Sequence, residues 1–254
     1  MPTTRKTRTT RRKHTTPRVR QQRGGATDEQ IGTVVHTHFP ELHGEVTNGH
    51  VRLFCQGAES GQGPTSDPIQ FEIAAPLMIL HSLKKCPTLT GTTILQRIIA
   101  IGRALSLDRI DLDDASMVGC HYPLYTLSIL QHGETWYHRM GFRSDDYETN
   151  KALHEALRRQ PFQRFVLHMF RVHERRTNQS ARRIRLQRSH AFLQTWYDAF
   201  PETRGHTVAE VAQMLPWTTL PCDHPHATLL RDFLFMADSA LPYEPYVSLD
   251  LRAM

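Results

Sequence analysis

Apolar positions follow two regimes along this chain. Up to about residue 113 they come in short runs and alternations, and beyond residue 142 they recur at helical spacing. Val51-Arg52-Leu53-Phe54-Cys55 reads as a strand, and Ile69-Gln70-Phe71-Glu72-Ile73 alternates with the period of a half-buried strand. Pro76 separates that strand from Leu77-Met78-Ile79-Leu80. These runs predict neighbouring antiparallel strands joined by a glycine- and proline-rich loop over 57–68 and by a short turn. Asp28 precedes the apolar run Ile31 to Val35 and suits a helix cap or the lead into that run.

A central unit follows. A polar, threonine-rich turn around Gly91 opens a segment in which Ile94, Leu95, Ile98, Ile99, Ile101 and Leu105 fall largely on one helical face. Asp108-Arg109-Ile110-Asp111-Leu112-Asp113 then alternates. Strand, turn, helix and strand make a βαβ unit. A second amphipathic segment runs from about Leu124 to Tyr137, with Gly133 placed to split it.

In the second regime, Ser144-Asp145-Asp146 precedes a helix through Leu153 and Leu157 that Pro161 ends. Phe162, Phe165, Val166, Met169 and Phe170 keep i, i+3, i+4, i+7, i+8 spacing, and the aromatic run Phe192 to Phe200 repeats it. Thr207 with Glu210 has the form of a capping box, and Leu229, Leu230, Phe233 and Leu234 mark a last helix. The expected architecture is α+β, with a mixed sheet and flanking helices over 28–146 and an arginine-rich helical region over 147–254.

Charge adds a third part. The net +6 is unevenly spread: residues 1–27 hold nine Lys or Arg and no acid, residues 158–188 hold ten Arg and one acid, and the remainder has 24 acids against 12 bases. Residues 1–27 contain too little apolar surface to offset ordering entropy, which predicts a disordered basic arm. Both basic segments suit contact with nucleic acid or another polyanion through phosphate charge. No run is apolar enough to span a bilayer, and the N-terminal residues lack the apolar segment of a secretory signal, so no membrane partner and an intracellular location, cytoplasmic or nuclear, are expected. Cys55, Cys86, Cys120 and Cys222 are scattered without a C-x-x-C pair, which reads as reduced thiols. Cys222, His224 and His226 lack a fourth metal ligand and read as a loop; Cys120-His121 lacks a third partner for nucleophilic work.

The order strand, glycine-containing turn, amphipathic helix, strand, then Trp136-Tyr137-His138-Arg139-Met140-Gly141-Phe142, resembles the GNAT superfamily of acyl-CoA-dependent N-acetyltransferases, whose closing motif commonly reads Phe-Tyr-x-x-x-Gly-Phe. The resemblance covers roughly residues 69–142. It implies acetyl-CoA as cofactor, bound at Thr90, Gly91, Thr92 and Thr93, an amine as acceptor, and Tyr137 as the acid that serves the leaving thiolate. The base is left open among Glu72, Asp111 and Asp113. The turn has a single glycine, and Thr88 stands three residues before it where the family usually carries Arg or Gln. The alternative is therefore a non-catalytic polyanion-binding protein on a GNAT-like scaffold that has lost the cofactor site. The segment Asp113-Asp114-Ala115-Ser116, with Gly133-Glu134-Thr135-Trp136-Tyr137, also resembles uncharacterised proteins of large DNA viruses, for which a virion location would be a further expectation.

Overall fold

A computed structural model describes residues 25–55, 69–83, 86, 88–177, 182–217, 219–242 and 245–253, with the side chains of 174–177 and 182–186 left out. Most of the expected basic arm and the whole 57–68 loop lie outside the described residues.

Helix α1 (Asp28–His38) starts at a capping box made by Thr27 and Gln30. Strands β1 (Leu42–Thr47) and β2 (His50–Cys55) pair as a hairpin across Asn48-Gly49. Both turn residues have positive φ, 52° and 79°, the geometry that matches strand twist in a two-residue turn. A Cβ on Gly49 would stand 2.6 Å from the carbonyl oxygen of Ile73, so the turn also needs glycine sterically. The Asp28 carboxylate accepts from the N–H of Asn48 and of Gly49 at 2.8 and 2.9 Å, which ties the first turn of α1 to the hairpin. Strands β3 (Ile69–Ala74) and β4 (Leu77–Leu83) continue the antiparallel meander.

Helix α2 (Gly91–Ala104) crosses over to β5 (Arg109–Asp113), which lies parallel to β4, as a βαβ unit requires. The sheet closes with β8 (Tyr246–Asp250), antiparallel to β5. The order is β1-β2-β3-β4-β5-β8, with one parallel pair. The fold is thus α+β.

Register sets one apolar face. Val51 lies opposite Phe71, Phe71 opposite Leu80, Leu80 beside Leu112, and Leu112 opposite Val247. These residues, with Ile31 and Val35 of α1 and Ile94, Leu95, Ile98 and Ile101 of α2, form the first core. On the other face stand His50, Glu72, Ile79, Asp111 and Ser248, linked by the same register.

After β5 come the short pair β6 (Met117–Val118) and β7 (Tyr122–Pro123), then α3 (Leu124–His132) and α4 (Trp136–Arg139), divided at Gly133 as expected. Gly133 is left-handed and caps α3. Helices α5 (Tyr147–Arg158), α6 (Phe162–Thr177), α7 (Arg182–Ala199), α8 (Val208–Met214) and α9 (Pro225–Ala240) follow. They bury a second core with α3, centred on Trp196, whose ring lies 4.9 Å from those of Phe162 and Phe233.

Three expectations are corrected. The stretch 147–254 is not wholly helical, because β8 returns to the sheet. The second core begins before residue 147, since Cys120, Tyr122 and α3 belong to it, whereas Tyr137 and Phe142 belong to the first. The cysteines are not free: Cys55 is bonded to Cys86 and Cys120 to Cys222. The first pair meets because β2 and β4 flank the same strand, β3, which places the end of one beside the segment leaving the other. The second joins the loop before β7 to the loop before α9, over 102 residues of sequence. Neither closeness is visible in cysteine spacing. With the thiols paired, the cysteines give no support for a reducing compartment. Among the described residues no helix is long and apolar enough to cross a membrane.

Candidate functional site

The sheet itself makes the site. The last pair joining β4 to β5 is Leu80 with Leu112. Beyond it β4 runs on beside β3, while Asp113 of β5 pairs with Tyr246 of β8. The two parallel strands part at their carboxyl ends, where the crevice of an open sheet takes ligands. A cleft of about 390 Å³ lies there, lined by Leu80, His81, Ser82, Asp113, Ser116 and Tyr137 among others. That volume falls within the ordinary range for small-molecule sites, about 300–1,000 Å³.

Tyr137 reaches the cleft from α4. Thr135 caps this short helix by accepting from the N–H of His138 at 3.1 Å. The Tyr137 ring is buried against Trp136 and Phe142, at centroid distances of 4.9 and 5.7 Å. Its hydroxyl lies 3.4 Å from Ser116 Oγ. Burial pushes its pKa up to about 12; the Ser116 hydrogen bond opposes the rise and the Asp114 carboxylate adds to it. The phenol therefore keeps its proton at neutral pH and has it available to donate in a hydrogen bond. His138, next in the helix, is buried edge-on to the Tyr147 ring at 4.7 Å and does not line the cleft. Burial first, then the Arg143 guanidinium, pushes its pKa down to about 4, so it is neutral at pH 7.

The four residues at the start of α2 stand apart from this cleft. Thr90 is the N-cap; its hydroxyl accepts from the N–H of Thr93 at 3.1 Å and lies 2.8 Å from the Thr93 hydroxyl. The N–H groups of Gly91 and Thr92 are left without an intrahelical acceptor, as the first turn of any helix requires. No acidic residue occupies that turn. Trp136 links the two places: its ring would lie 3.7 Å from a Cβ at Gly91, and it adjoins Tyr137.

The three carboxylates left open by the sequence separate clearly. Asp113 lines the cleft with Tyr137. Asp111, two residues earlier on β5 and on the sheet face away from the first core, is held by Arg109, Nε to Oδ1 at 2.7 Å, and does not line the cleft. Glu72 is on that face too, between His50 and His81. No family model, curated protein or solved structure matches this chain.

His81 and Ser82 are polar cleft residues that the sequence did not single out, and Ser116 stood there only as part of the Asp113–Ser116 segment, without a role. His81 is the extra residue of a β-bulge: Gln70 pairs with Ser82 and Phe71 with Leu80, so His81 has no partner in register. Such a bulge re-aims a side chain without leaving a mark on the apolar pattern. Within the basic region, Arg158 is committed to the fold. Its Nε and Nη2 donate to the carbonyls of Leu130 and Gln131 at the end of α3, at 3.1 and 2.8 Å, and Nη1 pairs with Glu155 at 2.7 Å. Arg164 and Arg171 of α6 are exposed.

Proposed function

We propose that the protein is an acyl-CoA-dependent N-acetyltransferase with its reaction centre in the cleft between β4 and β5. The observation that carries this reading is Tyr137, its hydroxyl beside Ser116, lining a cleft at the carboxyl ends of the parallel pair β4 and β5. The GNAT-like order of elements supports it: an antiparallel meander, a crossover helix into a parallel strand, and an antiparallel strand beyond.

Acetyl-CoA supplies an activated acetyl thioester. Gly91 and Thr92 N–H groups would hold its pyrophosphate, since a helix N-terminus presents donors and a positive dipole end. Asp113 is the carboxylate in the cleft and is assigned the base that takes a proton from the acceptor amine as the C–N bond forms. Tyr137 donates a hydrogen bond to the sulfur as the C–S bond breaks; a phenol near pKa 12 stabilises a thiolate without losing its own proton for long.

Calorimetric titration of the full chain with acetyl-CoA tests the reading. Saturable binding is expected, and Gly91→Glu should abolish it while leaving the fold intact, because a carboxylate suits the start of a helix but repels pyrophosphate. No heat with acetyl-CoA or CoA would overturn the proposal.

A further inference from the structure

We propose that His50, Glu72 and His81 form a binding site for a divalent transition metal, with zinc as the best match. The three residues sit on the sheet face opposite the first core, on adjacent strands β2, β3 and β4. His50 lies directly across from Glu72 in the β2–β3 register. His81 lies diagonally across from Glu72, in the bulge of β4.

Their ligand atoms converge to within 4.8 Å of one another. Glu72 Oε2 is 3.8 Å from His50 Nδ1 and 3.6 Å from His81 Nε2. Both distances are too long for hydrogen bonds, so none holds the three ligand atoms together. They are close to what a shared ion needs: with zinc bonds of about 2.0–2.1 Å, tetrahedral ligand atoms stand about 3.3–3.4 Å apart. A contraction of a few tenths of an ångström would seat the ion on the two measured edges.

The donor set is chemically selective. Two imidazoles and one carboxylate suit zinc and its neighbours, whereas magnesium and calcium prefer all-oxygen sites. Each ligand stands on a hydrogen-bonded strand, so the site is largely built before the ion arrives. All three side chains are partly exposed, which leaves an entry path and room for water in the remaining position.

The test is calorimetric titration of Zn²⁺ into the full, disulfide-intact chain after dialysis against chelator. One tight event per chain is expected. His81→Asn and Glu72→Gln should each weaken it by at least roughly 100-fold, more than the loss of an outer-shell partner costs. His36→Asn, an exposed histidine of α1 outside the cluster, should leave it unchanged. Co²⁺ should give the visible absorption of a tetrahedral site in the wild type and not in His50→Asn. Thermal melting in chelator confirms that the variants, all at exposed or half-exposed positions, remain folded. Absence of a tight event, or equal Zn²⁺ affinity in the wild type and His81→Asn, would overturn the proposal. His81 also lines the cleft, but the zinc titration is run without acetyl-CoA and Gly91→Glu lies outside the cluster, so the two proposals fail separately.

Discussion

At the scale of single residues, Tyr137 has a packing role in the structure and a chemical one in the proposed reaction, and the two can be separated. Its ring fills the space between Trp136 and Phe142, and its hydroxyl touches only Ser116 among the hydrogen bonds described. Tyr137→Phe keeps the ring, so stability at pH 7 should change by no more than about 1 kcal/mol, the worth of one hydrogen bond. If the phenol serves the leaving sulfur, turnover should fall by about 10²–10⁴ while acetyl-CoA affinity holds. The raised pKa gives a second readout. The folded state keeps the proton up to about pH 12, whereas an unfolded tyrosine releases it near its ordinary value of 10. Stability from this group is therefore intact below pH 10 and lost as pH rises from 10 to 12. Melting curves over that window should fall more steeply for the wild type than for Tyr137→Phe; parallel curves would mean the hydroxyl is not buried.

At the scale of elements, turns and caps were the legible part. The Thr207–Glu210 capping box, the break at Pro161 and the split at Gly133 stand where their residue types demand. Strand β1 escaped because Leu42-His43-Gly44-Glu45-Val46-Thr47 has little apolar alternation; Asn48-Gly49 was the available signal, since that pair favours a two-residue hairpin. Strand β8 was missed for the opposite reason. Val247 and Leu249 alternate well, but at the end of a long helical region a five-residue strand has meaning only through the distant partner it pairs with.

The disulfides also act at this scale, by joining elements. In the chain-entropy account, closing 31 residues is worth about 4 kcal/mol and closing 102 about 5. The double variant Cys120→Ser/Cys222→Ser should therefore lower the urea midpoint at least as much as Cys55→Ser/Cys86→Ser. Thiol titration of the unreduced, denatured protein should find no free cysteine among the four; four titratable thiols would return the chain to the reduced state expected from spacing.

For the whole molecule, the two cores interleave along the chain. The first takes residues from α1 to β5, then Tyr137 and Phe142, then β8; the second takes the intervening segments. The C-terminal strand thus completes a sheet begun some 200 residues earlier, and it covers the edge of β5. Val247, Leu249 and Leu251 are each less than a tenth exposed. Removing residues 245–254 should cost at least roughly 5 kcal/mol, from about 1.5–3 kcal/mol for each buried side chain, and should leave β5 as a bare edge prone to association. Denaturation midpoints and light scattering of the truncated chain check this. A fully stable, monodisperse truncation would show that the sheet does not need its last strand.

The sequence alone determined what depends on neighbours within a few residues. Periodicity placed the core helices and the βαβ unit, and turn chemistry placed many of their ends, because these follow from backbone sterics and local hydrogen bonds. It nominated Tyr137 and the start of α2, but not their relation: Trp136 stands between them, and Thr90–Thr93 do not line the cleft. The lining of the cleft by Asp113 and not by Asp111 or Glu72, the pairing of four cysteines, and the meeting of His50, Glu72 and His81 were decided only in three dimensions. Each depends on which strands are neighbours, in what register, and where a bulge shifts it. Those are contacts between residues far apart in the chain, and no local pattern encodes their distances.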